Sequence, residues 1–156
     1  MKMEKQITDK IDRGIDLFES GYSCSQSVVL AFADHFGIDS SVALKFSSSF
    51  GAGMGRLREV CGAATGMFMI LGWLYPYENV EDKEAKKVNY AAVQRCAAQF
   101  KERMGSYICA ELLKIKREPQ IPVPSDRTDA YYNLRPCTRA VAVACEIVAK
   151  EIFKDA

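Results

Sequence analysis

Between Glu59 and Glu78 the chain runs VCGAATGMFMILGWLYPY without a charged residue. Such a segment has to be hidden from water, and its length reaches the lower limit for crossing a bilayer, which takes about 20 apolar residues. Three glycines, a threonine and a proline lower its average apolarity, and neither a second span nor a basic flanking loop accompanies it. The segment therefore reads as a buried helix at the centre of a domain, with no membrane insertion.

The remaining apolar residues recur at helical spacing. Ile7, Ile11, Ile15 and Phe18 mark a first helix that stops before Ser20-Gly21. Ser23-Cys24-Ser25-Gln26 has the form of a capping box and opens a second, ending at Gly37. Asp39 or Ser40 can cap a third, running to about Phe46–Phe50. Gly51-Ala52-Gly53-Met54-Gly55 must then be irregular, and the central helix follows it. Tyr90, Val93, Ala97, Phe100 and Met104 mark a long helix ended by Gly105, and Ser106 offers an N-cap for YICAELLKI. The proline-rich IKREPQIPVPSDRTDAYYN reads as an extended connection. Pro136 suits the first position of a last helix whose apolar face is Cys137, Val141, Ala144, Val148 and Ile152. No alternating run is bounded by hairpin turns. The expected fold is all-α, a single-domain bundle of about six to seven helices over residues 1–156.

Charge narrows the partners. Lys and Arg number 21 against 20 Asp and Glu, a formal charge of +1, so no surface is built to neutralise phosphates and nucleic acid is not an expected partner. One histidine, His35, excludes a paired-histidine metal site. Near a helix end, it reads as a polar side chain on the last turn before Gly37. The charged N-terminal stretch MKMEKQITDKIDRG carries no apolar export segment, so the expected compartment is the reducing cytoplasm.

Six cysteines need an account there. Cys24, Cys61, Cys109 and Cys137 all fall near helix starts, where unpaired N–H groups and the helix dipole favour the thiolate, the form that binds metal or attacks a disulfide. The competing reading is that small apolar cysteines fill the core. That reading suits Cys96 and Cys145, which fall within apolar stripes in mid-helix. The glycine loop at 51–55 lacks the preceding strand that nucleotide-binding motifs need. It suits a close backbone approach, or a set of N–H donors around an anion such as cluster sulfur. Gly62 and Gly66 make a flat patch on the central helix, open to a second helix or a bulky cofactor. Arg56 and Arg58 could offset cluster charge or lie on a solvated face. No C-x-x-C-H or C-x-x-C occurs, which excludes a c-type haem and a thioredoxin-like dithiol.

Cys24, the run Cys61-Gly62-Ala63-Ala64-Thr65-Gly66 as CGAxxG, then Cys109 and Cys137 resemble the bacterial C_GCAxxG_C_C family of redox-active proteins. The resemblance runs from about Gly21 into the last helix. It implies a small helical protein whose four family cysteines, Cys24, Cys61, Cys109 and Cys137, hold a redox centre, an iron–sulfur cluster, with electron transfer to a redox partner protein as the function. A [2Fe–2S] cluster, a [4Fe–4S] cluster and zinc are all within reach of four thiolates. Two further readings stand beside it: a thiol–disulfide oxidoreductase using paired cysteines, and a zinc-binding or metal-free interaction module. A homodimer is compatible with all three.

Overall fold

The uncharged run forms a helix that is buried over most of residues 62–71, while Trp73 near its end is 55% exposed. The computed structural model describes residues 1–154, which contain eight right-handed α-helices: α1 (Lys2–Glu19), α2 (Cys24–Ala33), α3 (Ser40–Ser47), α4 (Gly62–Leu74), α5 (Lys83–Met104), α6 (Cys109–Leu113), α7 (Asp129–Leu134) and α8 (Cys137–Phe153). Among the described residues there is no strand, only an isolated antiparallel bridge between Val60 and Ile108. The fold is all-α, as the helical period of every apolar stripe requires. No helix among these residues is long and apolar enough to cross a membrane.

Helix α4 packs against α2, α5 and α8, while α1 lies along α8 and α2. One cluster of buried side chains joins them, with Phe18, Phe32, Met67, Ile70, Leu71 and Phe100 almost wholly excluded from water. Burying each contributes about 1.5–3 kcal/mol, so these helices are stable together and would not be alone. The caps act as their residue types dictate. Ser23 Oγ accepts the Gln26 N–H while Gln26 Oε1 accepts the Ser23 N–H, and Asp39 accepts the Val42 N–H to start α3.

Three local expectations need correction. Ser106 does not cap a helix from 107. Tyr107 and Ile108 are instead drawn into the bridge, where the Cys61 N–H donates to the Tyr107 carbonyl at 2.8 Å and the Cys109 N–H to the Glu59 carbonyl at 2.6 Å. The Ser106 hydroxyl accepts the Ile108 N–H and bonds Glu111, and α6 starts only at Cys109. The proline-rich connection over 115–133 is not extended throughout, because Thr128 caps a short helix, α7, by accepting the Tyr131 N–H at 3.1 Å. Pro136 is the N-cap of α8 and not its first residue.

Candidate functional site

Four helix starts meet at one cavity. Cys24 is the first residue of α2, Cys61 the residue before α4, Cys109 the first of α6 and Cys137 the first of α8. All four line the same cavity of about 390 Å³. The Val60–Ile108 bridge sets Cys61 beside Cys109. Gly62 sets α4 against α2, since a β-carbon there would strike Cys24 Sγ and come within 2.8 Å of the Phe50 carbonyl. Cys61 and Cys109 are buried; Cys24 and Cys137 are half-buried. The other two cysteines stand elsewhere. Cys96 lies against the Glu151 carboxylate, and Cys145 packs on α1 at Gly14.

The floor of the cavity is backbone in a conformation that L-residues avoid. Ala52, Gly53, Met54, Gly55 and Arg56 all have φ between 57° and 70°. The Gly55 N–H donates to the Gly51 carbonyl and the Arg56 N–H to the Ala52 carbonyl, making a left-handed helical turn. Each non-glycine residue so held costs roughly 1–2 kcal/mol. Arg58 adds another at φ 61°. Gly53 answers a packing need as well as its φ of 69°, because a β-carbon there would lie 2.6 Å from Cys109 Cβ and 2.7 Å from Arg58 Cα. Strain of this kind persists only where surrounding structure imposes it, and it gathers at functional sites.

Above the cysteines the proline-rich segment closes one side of the cavity with Pro122, Pro124 and Ser125. Arginines hold it down. Arg56 donates from Nε to the Ile121 carbonyl at 2.8 Å, and from its other nitrogens to Gln120 and Ser125. Arg127 donates to the Phe18 and Tyr22 carbonyls, and its guanidinium stacks over the Phe18 ring at 4.5 Å. Arg135 stacks on Tyr131, also at 4.5 Å, and donates to Ser125. Arg58, only 2% exposed, donates from Nε to Gln120 at 2.9 Å and from Nη1 to Cys109 Sγ at 3.4 Å. Sequence reasoning had singled out Arg56 and Arg58 but not Arg127, Arg135 or their aromatic seats. The pair Tyr131-Tyr132 flanked by Arg127 and Arg135 in RTDAYYNLR is the available signal.

The thiols do not behave as helix starts alone would have them. Burial raises Cys24 above its ordinary value and Cys61 well above it, although N–H groups of Ala52 and Ser25 at the first, and of Ala63 and Ala64 at the second, pull the other way. Burial, with the neighbouring Cys24 and Cys109, pushes Cys137 up to about 11. Desolvation therefore outweighs the helix N-termini, and the expectation of ready thiolates is corrected for these three. What the arrangement offers is four soft sulfur donors, a guanidinium donating to one of them, and further arginines with no acidic residue in the wall. No three Cys, His, Asp or Glu side chains among the described residues are grouped to hold a single metal ion.

Comparison with curated proteins finds no match, and comparison with solved structures finds none either. Residues 22–151 match the family described as "Putative redox-active protein (C_GCAxxG_C_C)". That span takes in all four cavity cysteines, the left-handed turn and the arginines around them. This chain is a member of the C_GCAxxG_C_C redox-active family.

Proposed function

We propose that Cys24, Cys61, Cys109 and Cys137 hold an iron–sulfur cluster and that the protein transfers single electrons. The observation that carries this reading is the placing of four sulfurs around one cavity whose other ionisable side chains are arginines and Tyr131. The residues fit the group. Four thiolates complete a [2Fe–2S] or [4Fe–4S] cluster, hydrogen bonds to sulfur tune such centres, and all four cysteines line one cavity of about 390 Å³. The bound cluster would supply one-electron redox chemistry. The chain's own part is to supply the sulfurs, place the Arg58 guanidinium against the Cys109 sulfur, and close one side of the cavity with the pinned proline segment.

The raised thiols weigh against the oxidoreductase reading, because attack on a disulfide needs a thiolate. A thiol that binds a metal gives its proton up to solvent and the metal takes the proton's place on sulfur, so burial is no obstacle to a cluster. The cytoplasm is the compartment this chemistry suits, and a redox protein is the partner it calls for. Visible absorbance and electron paramagnetic resonance of protein purified without oxygen test the proposal. A brown protein with sulfur-to-iron charge-transfer bands and a paramagnetic signal on reduction is the expected result. A colourless, silent protein that stays so after reconstitution with iron and sulfide would exclude it.

A further inference from the structure

Arg58 is a buried charge without a countercharge. It is 2% exposed, and among the described residues every ion pair lies elsewhere. Its partners are the neutral Gln120 amide oxygen and the sulfur of Cys109. Burying a guanidinium in this way is costly unless an anion joins it. The backbone position adds to the cost, since Arg58 is held at φ 61°. Both costs are met at one residue whose side chain lines the cysteine cavity.

Arg56 and Arg127 are different. Their guanidiniums bond carbonyl, hydroxyl and amide oxygens that hold the proline segment in place, and Arg135 spans Tyr131 and Ser125. These three tie one part of the chain to another. Arg58 alone donates to a cysteine sulfur.

We infer that Arg58 is the countercharge of the cysteine centre and sets its reduction potential, by stabilising the negative charge that arrives on the cluster and its Cys109 sulfur with each electron. The inference rests on the cluster reading. The electron comes from an external one-electron reductant, and no proton need move. A cluster ligated by four thiolates carries net negative charge that grows by one on reduction, so a fixed guanidinium stabilises the reduced form more than the oxidised form. Gln120 holds the guanidinium in place by accepting from Nε, which leaves Nη1 directed at the sulfur.

The test is a redox titration with dithionite of the anaerobically purified full chain, for wild type, Arg58→Gln and Arg58→Lys, with iron and sulfide counted in each. Arg58→Gln should keep its iron and lower the reduced-to-oxidised ratio at fixed potential about tenfold, which is a midpoint lower by about 59 mV for a one-electron couple. Arg58→Lys should recover most of that ratio because it restores the charge without the planar fork. Loss of iron in Arg58→Gln but not in Arg58→Lys would equally support a required charge. An unmoved midpoint with full iron in Arg58→Gln would overturn the inference and leave the cluster reading standing, as would loss of iron from both variants alike. Wild-type protein without iron and sulfide would remove the cluster reading, and the inference with it.

Discussion

Cys24 Sγ occupies the space that a β-carbon on Gly62 would need. The Phe50 carbonyl and Gly51 Cα close the same space from the other side, at 2.8 and 3.2 Å. The first residue of CGAxxG is thus a cavity cysteine, and the second makes room for another cysteine from a different helix. Gly62→Ala should cost about 1–3 kcal/mol by overpacking and should also displace the Cys24 sulfur. Denaturant unfolding measures the first effect and iron retention the second. Unchanged stability with full iron would show that the contact is not needed.

Alanine at each cysteine should divide the six into two groups. At Cys24, Cys61, Cys109 and Cys137 iron should fall or the cluster spectrum change, because one of four ligands is lost. At Cys96 and Cys145 iron should stay, while stability drops by roughly 1 kcal/mol or a little more for the lost core sulfur. Metal analysis beside thermal unfolding separates the two. Iron loss on substituting Cys145, together with retention on substituting Cys137, would break the assignment.

Arg127→Ala should loosen the proline segment. It removes hydrogen bonds to Phe18 and Tyr22 and a cation over the Phe18 ring, together worth about 1–2 kcal/mol. Because opening that segment exposes the cavity, alkylation of Cys24 and Cys137 in metal-free protein should speed up several-fold. Mass spectrometry of the time course reads this by site. A faster reaction at Cys96 but not at the cavity cysteines would point to global unfolding instead.

Acid should weaken the protein through Glu151. Burial by itself would raise this carboxyl, but hydrogen bonds from Arg95 and Tyr75, the Arg95 charge and Lys154 outweigh it and hold the group at about 2. A carboxyl depressed from 4.5 in this way adds stability above pH about 4.5, and the contribution fades as pH falls toward 2. Arg95 is well exposed, so screening trims the contribution to about 1–2 kcal/mol. Urea midpoints should drop between pH 6 and pH 3 in wild type, and less steeply in Glu151→Gln.

The helices were legible wherever a single face met the core. Phe18, Phe100 and Val148 stood in stripes whose period needs no tertiary information. The start of α6 was not legible, because Ser106 carries good cap chemistry and only the pairing of Tyr107 with Cys61, from a distant segment, overrides it. Nor was α7: prolines dominated its neighbourhood, and Thr128 was the sole local cue. The left-handed turn was legible as irregular from its glycines, but its hand was not, since Ala52 and Met54 would not choose that conformation alone. At the cysteines, position along each helix could be read, but burial could not. Burial is what decides that Cys61 and Cys137 are poor thiolates until something takes their protons.

The most direct measurement is the iron and acid-labile sulfide carried per chain by protein purified without oxygen. Four cysteines around one cavity predict equal amounts of the two, about two or four atoms of each. Zinc without sulfide, or a full-length folded protein that binds neither iron nor sulfide under reconstitution, would contradict an iron–sulfur centre at Cys24, Cys61, Cys109 and Cys137.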